Sequence, residues 1–301
     1  MKPLLAKIKD PIVRRVVVPI SAILAILAVV LVSVVFYSAN SMDQTGIARQ
    51  QALVDNALSL RLQQSLSELR SVAWWDDMVV KSRTATFDAD WLDVEVGVFV
   101  TTSYKHDRIF VFDEADQPVY GFGADARLTS AVQIKYAKAF APLVAQIRGG
   151  KSASPRIREA SLLTESREDS KITNRSYGRG AAALLSFGGK PVLASVMAIT
   201  PSMDMALNAK RPRLLASMTD VTPALMREIG GSILIKDLVR QNGTTNKEAR
   251  VAFRTDAGQS LGVLGWTPEK PGRALIGDIL PLTLLVLLAT VGSLYFLFGH
   301  L

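Results

Sequence analysis

Two long apolar runs without any charged residue lie near the ends of the chain, at residues 16–37 and 279–298. At 1.5 Å per residue, the 22 residues of the first run form a helix of about 33 Å, enough to cross the roughly 30 Å hydrocarbon core of a membrane. The second run has 20 residues and is interrupted only by proline, threonine, glycine and serine. Uncharged stretches of this length are seldom core helices of soluble proteins, so the pattern predicts two transmembrane helices.

The charges beside the first run predict its orientation. Residues 1–15 carry five basic side chains against the single acid Asp10, so the positive-inside rule places this segment in the cytoplasm. Two spans then place residues 38–278 outside, most simply in the periplasm of a bacterium, and return residues 299–301 to the cytoplasm. The alternative is a cleaved signal peptide, but its apolar core is normally only about 7–15 residues long. The sequence therefore favours a two-pass protein of the bacterial inner membrane.

Residues 41–73 have the period of a helix. Polar side chains, among them Gln64, Glu68 and Arg70, are predicted to occupy its other faces. The apolar stripe recurs at three- and four-residue steps: Val54, Leu58, Leu62, Leu66, Leu69 and Ala73. Residues 16–73 are thus predicted to form one nearly continuous rod. Its stripe pairs with a second copy in a homodimer, packs on its own domain, or does each at a different height.

The remaining patterns predict an antiparallel sheet with helices, at about residues 105–230, followed by a β-meander at about 231–266. Gly188-Gly189 predicts a two-residue hairpin, and Thr222 with Pro223 predicts the start of a short helix. The predicted strands are 108–112, 118–122, 181–187, 190–200, 213–219, 231–238, 249–255 and 260–266, with a helix at 129–147. This α+β order is, by analogy, that of a PAS-like Cache-type domain between two transmembrane helices.

Composition excludes several kinds of site. The chain has no cysteine and two histidines, which excludes disulfides, thiolate metal sites and a paired-histidine metal motif. The formal net charge of +8 comes from the basic N-terminus and a Ser/Gly/Arg-rich loop at residues 148–179, so it does not indicate nucleic-acid binding. Neither Gly121-Phe122-Gly123 nor Gly188-Gly189-Lys190 has the spacing of a phosphate-binding loop. No cofactor is expected.

Several segments together resemble a known family. They are WWDD at 74–77, Trp91, HDRIFVFDEADQPVYGF at 106–122, GKPVLASVMAITPS at 189–202, RPRLLASMTDVTPALMREIG at 211–230 and LGWTPEKPGRALIGDILP at 264–281. Over roughly residues 45–281 the chain resembles the CHASE family, type four, the Cyclase/Histidine-kinase-Associated Sensory Extracellular domains.

The resemblance implies a sensor whose signal crosses the membrane to a cytoplasmic output. In this family the output is commonly a GGDEF diguanylate cyclase, often with an EAL phosphodiesterase, and sometimes a histidine kinase. The sequence contains none of these motifs. We therefore expect no enzymatic activity from the chain as given, which is either the sensory part of a longer protein or a naturally truncated one.

The WWDD element has two readings. Trp74 and Trp75 bring apolar area to the place where the helix meets the sheet, while Asp76 and Asp77 cap backbone N–H groups or pair with nearby basic residues. The other reading is direct contact with a ligand. A catalytic carboxylate pair is disfavoured, because adjacent helical residues point about 100° apart and glycosidase carboxylates must face one bond.

A ligand is expected between the sheet and its covering helices. The candidates for the wall of such a site are Trp91, Tyr104, His106, Asp107, Phe110, Tyr120 and Arg213. His106 and Asp107 could also ligate a metal, but two ligands without a third do not by themselves predict a metal site. The sequence thus predicts a membrane-bound sensor for an unknown small molecule or protein. It also predicts that the sensor forms a homodimer through its N-terminal helices. The alternatives are a protein-interaction module without its own output and, less favoured, a periplasmic hydrolase.

Overall fold

The computed structural model describes residues 11–149, 158–159, 179–241, 243 and 247–300. The chain divides into two compact units. The α/β unit is Gln51–Thr267, and the helical unit comprises Met1–Gln50 and Pro268–Leu301. The basic side chains predicted to orient the N-terminus lie on residues 1–10 or on the part of the first helix whose side chains are not described.

Two long helices make up the described part of the helical unit. Helix α1, Pro11–Ala73, begins in this unit and ends in the α/β unit, and α7 is Pro271–His300. Both are long and apolar enough to cross a membrane, and only 6% of each apolar window is buried. The core helix of a soluble protein would be mostly buried, so this exposure is compatible with a two-pass membrane protein.

The α/β unit contains the predicted elements in their predicted order, together with short helical segments between residues 76 and 103 that were not predicted. After α1 its helices are α2 (Asp76–Ser82), α3 (Ala89–Trp91), a π-helical segment (Leu92–Val98), α4 (Phe99–Ser103), α5 (Ser130–Ile147) and α6 (Pro223–Ser232), with 3₁₀ turns at Thr84–Thr86 and Met205–Leu207. Its strands are β1 (Arg108–Phe112), β2 (Pro118–Gly123), β3 (Ala126–Arg127), β4 (Arg158–Glu159), β5 (Gly180–Phe187), β6 (Lys190–Ala198), β7 (Leu214–Asp220), β8 (Lys236–Gln241), β9 (Ala249–Arg254) and β10 (Ser260–Thr267).

Seven of these strands form one antiparallel sheet in the order β3-β2-β1-β7-β6-β5-β4. Helix α5 covers one face and buries an apolar cluster that includes Phe110, Phe140 and Ala194. The sequence interpreted residues 148–179 as a loop, but Arg158–Glu159 pairs with β5 at the edge of this sheet. The remainder of that predicted loop, 150–157 and 160–178, lies outside the described residues.

The end of α1 covers the opposite face. The predicted stripe is buried here, apart from the half-buried Leu58. A Cβ atom on Gly180 of β5 would lie 2.8 Å from Cδ1 of Leu66, which shows how closely helix and strand approach. The stripe therefore packs within the protein's own α/β unit.

The second sheet corrects two predictions. Its order is β8-β10-β9, so β10 lies in the middle and the predicted meander, in which neighbours in sequence pair in turn, is wrong. Its first strand begins at Lys236 because α6 continues through Gly230 and Gly231 to Ser232. Gly230 lies so close to the chain beyond the helix that a Cβ atom would be 2.9 Å from the carbonyl oxygen of Ile235.

The burial of α1 can be tested with two leucines on the same helix. Leu69 is 0% exposed and Leu60 is 62% exposed. We expect Leu69→Ala to lower the free energy of unfolding by about 2–5 kcal/mol, because it leaves a cavity under the sheet. Leu60→Ala should change it by no more than about 0.5 kcal/mol. Denaturant unfolding of the detergent-solubilised chain, followed by tryptophan fluorescence, measures both, and equal effects would contradict the packing described for α1.

Candidate functional site

Polar side chains join α1 to the sheet inside an otherwise apolar contact. The hydroxyls of Ser65 on α1 and Ser195 on β6 lie 2.7 Å apart, and both residues are buried. One turn further along, a carboxylate oxygen of Glu68 lies 2.9 Å from Nε2 of His106, whose side chain is fully buried. Burying a polar group lowers the stability of the fold unless the group is hydrogen-bonded. Any shift of α1 that breaks these bonds is therefore unfavourable, so they fix its position on the sheet.

Glu68 is the centre of this polar cluster. It accepts a 2.8 Å hydrogen bond from Gln64, and Nη1 of Arg61 lies 3.4 Å from each of its oxygens. Burial alone raises the pKa of Glu68, but the hydrogen bond from His106 and the charge of Arg61 outweigh burial and hold the pKa below its ordinary value. The carboxylate is thus ionised at neutral pH in a largely buried place.

The sequence pattern missed this cluster. Glu68 was predicted on an outward polar face, but its side chain is only 13% exposed and contacts the sheet side of the helix. The available signal was the spacing of Arg61, Ser65 and Glu68, four and three residues apart, which places them on one helical face beside the apolar stripe.

The tryptophans of the WWDD element lie at the end of α1. Trp74 pairs with Thr200 in an isolated parallel bridge, and its indole N–H donates to the carbonyl of Pro201 at 2.9 Å. The ring of Trp75 packs on that of Trp91, with centroids 5.1 Å apart. All three rings are half-buried, so they tie α1 and α3 to the loop after β6.

The two aspartates have different environments. Asp76 accepts hydrogen bonds from the backbone N–H groups of Ser202, Met203 and Asp204, at 2.7, 3.1 and 3.2 Å. The bond from Met203 contributes most to holding the pKa of Asp76 below its ordinary value. Asp77 is exposed. Two nearby basic residues have other partners: Lys81 binds Asp88, and Arg83 donates to the carbonyl of Leu207.

Three of the predicted wall residues lie near the start of β1. The hydroxyl of Tyr104 lies 2.9 Å from that of Ser71 on α1, and its ring is 6.4 Å from the ring of His106. Asp107 is exposed, and its carboxylate accepts a hydrogen bond from the backbone N–H of Asp220. Tyr104 and His106 therefore both connect to α1, whereas Asp107 closes the end of the ladder between β1 and β7.

The other wall residues are spread over different places. Phe110 faces α5, where its ring is 5.4 Å from that of Phe140, whereas Tyr120 pairs with Val111 on the opposite face. Arg213 is buried where β7 begins and binds Glu114, the carbonyl of Ser82 and the hydroxyl of Thr84. The structure does not bring the predicted wall residues together in one site.

Tyr120 takes part in a polar contact that joins β2 to the π-helical segment. Its hydroxyl donates to Asp93 at 2.9 Å, and Arg127 pairs with the same carboxylate at 2.6 Å. Burial, followed by the bond to Asp93, raises the pKa of Tyr120 far above its ordinary value. A Cβ atom on Gly97 would lie 2.6 Å from the ring of Phe122, so the segment can approach the strand only because a glycine stands there.

Small recesses accompany these contacts. One of about 150 Å³ lies between α1 and the second sheet, and Val54, Leu62, Phe253 and Leu264 contribute to its lining. It is smaller than the roughly 300–1,000 Å³ typical of drug-sized ligand sites. Among the described residues, no group of three or more histidine, aspartate or glutamate side chains is arranged to hold a metal ion.

Asp76 and Asp77 provide a matched pair for testing the structural role of the WWDD element. Asp76→Asn replaces an acceptor of three backbone N–H groups by an amide that accepts fewer, whereas Asp77→Asn alters an exposed side chain. We expect only Asp76→Asn to lower the unfolding temperature clearly, as measured by differential scanning fluorimetry. Equal unfolding temperatures for the two variants would show that the bonds to residues 202–204 do not stabilise the fold.

The lowered pKa of Glu68 predicts a dependence on pH. A carboxylate with a depressed folded pKa stabilises the protein fully above its ordinary pKa of 4.5, and that contribution is lost as pH falls through the folded value. We expect the wild-type unfolding temperature to fall below about pH 4.5, and Glu68→Gln to fall less steeply. Glu228→Gln, on the exposed side of α6, is the control and should keep the wild-type slope. An unchanged slope in Glu68→Gln would exclude this role.

Comparison with known proteins places this arrangement in a family. A family model of the CHASE4 domain matches residues 57–238, more than half of the 301-residue chain. The match runs from the buried part of α1 through the whole seven-stranded sheet and α6 to β8. No curated protein matches the chain. The resemblance inferred from the sequence is confirmed, and the chain belongs to the CHASE4 family of extracellular sensory domains.

Proposed function

We propose that this protein is a membrane-anchored sensory module that detects a signal with its α/β unit and relays it through α1 and α7. The observation that carries the proposal is the continuity of α1, which runs as one helix from Pro11 to Ala73. Its last turns are joined to the sheet through Ser65 and Glu68, and its first half is the apolar span. A signal that rearranges the contact with the sheet therefore acts on a membrane helix directly.

Contact between the membrane helices supports the relay. Ala39 on α1 is buried, and a Cβ atom on Gly272 of α7 would lie only 1.9 Å from its carbonyl oxygen. Four residues beyond Ala39, the carboxylate of Asp43 accepts the backbone N–H of Gly272 at 2.7 Å. A side-chain carboxylate from one helix thus caps the N-terminus of the other, where the helix dipole favours negative charge.

The direction of the relay follows from the predicted topology. With the basic N-terminus inside, residues 38–278 lie in the periplasm and both termini lie in the cytoplasm. We also propose that the seven-stranded sheet and its helices form a PAS-like, Cache-type domain. The output is a cytoplasmic enzyme of cyclic di-GMP metabolism, a diguanylate cyclase or phosphodiesterase, as the family resemblance implies. Residues 1–301 have neither motif, so they are not the enzyme themselves.

Dimerisation through α1 is part of the proposal. The apolar stripe of α1 packs within the protein's own α/β unit. Leu53 and Leu60, seven residues apart on the same helix, are 44% and 62% exposed. Residues seven apart lie on one helical face, the spacing used by paired helices. A second copy would therefore use a different face of α1 from the one that contacts the sheet.

A protein signal is the second candidate. Val94, Val98 and Phe99 are exposed large apolar side chains on the π-helical segment and the start of α4. Neighbouring exposed apolar residues of this kind are typical of protein-binding surfaces. This surface favours a module whose ligand is another protein, and it is compatible with the same relay through α1.

The relay can be tested through the contact at Gly272. We expect a chimera that carries a diguanylate cyclase domain after residue 301 to change its cyclic di-GMP output by about fivefold or more on Gly272→Ala. The added methyl group has no room beside Ala39 and must separate the two helices. Gly277→Ala, on the same helix but with open space around its Cβ position, is the control and should leave the output unchanged. Wild-type output from Gly272→Ala at equal membrane abundance would contradict the relay.

A further inference from the structure

The recess between α1 and the second sheet has a mostly apolar wall. Its volume is about 150 Å³, and it lies entirely within the α/β unit. The described residues of the wall come from α1, from β5 of the first sheet, and from β9, β10 and the turn that joins them. Its buried apolar members are Val54, Leu62, Leu184, Phe253 and Leu264. Three parts of the unit thus meet around one space without filling it.

Leu58 shows that this space is unfilled. It is the one residue of the α1 stripe that is only half-buried, and it lines the recess. Val54, one turn earlier, and Leu62, one turn later, are both buried. A large apolar side chain beside an unfilled space lacks the van der Waals contacts that a close-packed core would give it. A molecule in the recess would supply those contacts.

Hydrogen bonds beside the recess oppose its closure. One turn before Val54, the side-chain amide of Gln51 donates to the carbonyl of Arg250 at 3.0 Å and joins α1 to β9. After β9, the backbone N–H of Asp256 donates to the carbonyl of Leu184 at 3.0 Å. The carboxylate of Asp256 accepts the N–H of Leu184 at 2.9 Å, so the turn is joined to β5 as well. The surrounding elements cannot close on the space without breaking these bonds.

Size and charge favour a small uncharged occupant. A cavity of about 150 Å³ with aliphatic and aromatic walls has room for a benzene-sized molecule. The ionisable side chains in the described lining are Asp55, Arg254 and Asp256, two carboxylates against one guanidinium. An anion would therefore meet a net negative charge, and any ion would lose water on entering a mostly apolar space.

We propose that this recess binds a small, uncharged, mostly apolar molecule of about the size of benzene. Such a molecule would touch α1, which continues into the first apolar span, and β10, from which the chain reaches α7 within four residues. It would thus contact both elements that lead into the membrane helices, and its arrival would change how they pack on each other. This inference rests on the proposed sensory function and names the chemical class of its ligand.

The test uses the full chain in lipid nanodiscs and phenol as the probe, because phenol is about the size of benzene and uncharged near pH 7. Leucine methyl groups are labelled with ¹³C and observed by NMR. We expect the resonance that disappears in Leu58→Ala to shift saturably with phenol concentration. Leu60, exposed on the same helix, is the internal reference. Its resonance should shift less and without saturation, as partition of phenol into the lipid alone would produce.

Substitutions at Leu58 identify the site, and binding to them is followed through the other leucine resonances that respond in the wild type. Leu58→Trp fills part of the recess and should weaken the apparent affinity for phenol at least about tenfold, whereas Leu60→Trp should leave it unchanged. Leu58→Ala enlarges the recess and should shift the preference from phenol towards the larger 2-naphthol. This second variant keeps the test decisive if tryptophan is not tolerated at this position.

Sodium benzoate tests the chemical class, because it has the same ring as phenol but carries a carboxylate. It should bind at least about tenfold more weakly than phenol. Absence of a saturable shift at Leu58, wild-type phenol affinity in Leu58→Trp, an unchanged preference in Leu58→Ala, or benzoate affinity equal to that of phenol would each overturn the proposal.

The two proposals fail separately. If Gly272→Ala changes the cyclase output while phenol leaves the Leu58 resonance unshifted, the relay stands and the site in the recess is excluded. If phenol binds beside Leu58 but the output ignores Gly272→Ala, the site stands and the relay through the two helices is excluded.

Discussion

The fold depends on the burial of one face of α1 against the seven-stranded sheet. Leu62, Leu66 and Leu69 supply the apolar part of this contact, and Ser65 with Glu68 supplies the polar part. Apolar contact alone is tolerant of small shifts, because it has no preferred direction. Hydrogen bonds to Ser195 and His106 are directional, so they select one position of the helix among many of similar apolar burial.

The same combination recurs where α1 ends. Trp74 and Trp75 supply apolar contact area. The carboxylate of Asp76 accepts hydrogen bonds from three backbone N–H groups of the loop after β6. This loop would otherwise carry unpaired N–H groups just beyond the end of β6. The WWDD element is therefore a junction between the helix, the loop and α3, which explains why its two aspartates, adjacent in sequence, have such different surroundings.

Local signals predicted much of this fold, and long-range pairing accounts for what they missed. Thr222 does accept the N–H of Leu225 and Gly188-Gly189 does turn with positive φ angles, because both effects depend on neighbouring residues alone. Local signals could not predict that the carboxylate of Glu68 is buried. Its partner His106 is 38 residues away, and a glutamate beside an apolar stripe is ordinarily solvent-exposed. The strand order of the second sheet was missed for a similar reason, since no local signal in β8, β9 or β10 indicates which two strands pair.

That order has a mechanical consequence. β10 is hydrogen-bonded to β8 on one edge and to β9 on the other, and the chain passes from its end at Thr267 to α7 within four residues. A tension applied along the chain at this point cannot peel an edge strand away one bond after another. It must break two ladders at once, so the second sheet resists a pull that reaches it through α7.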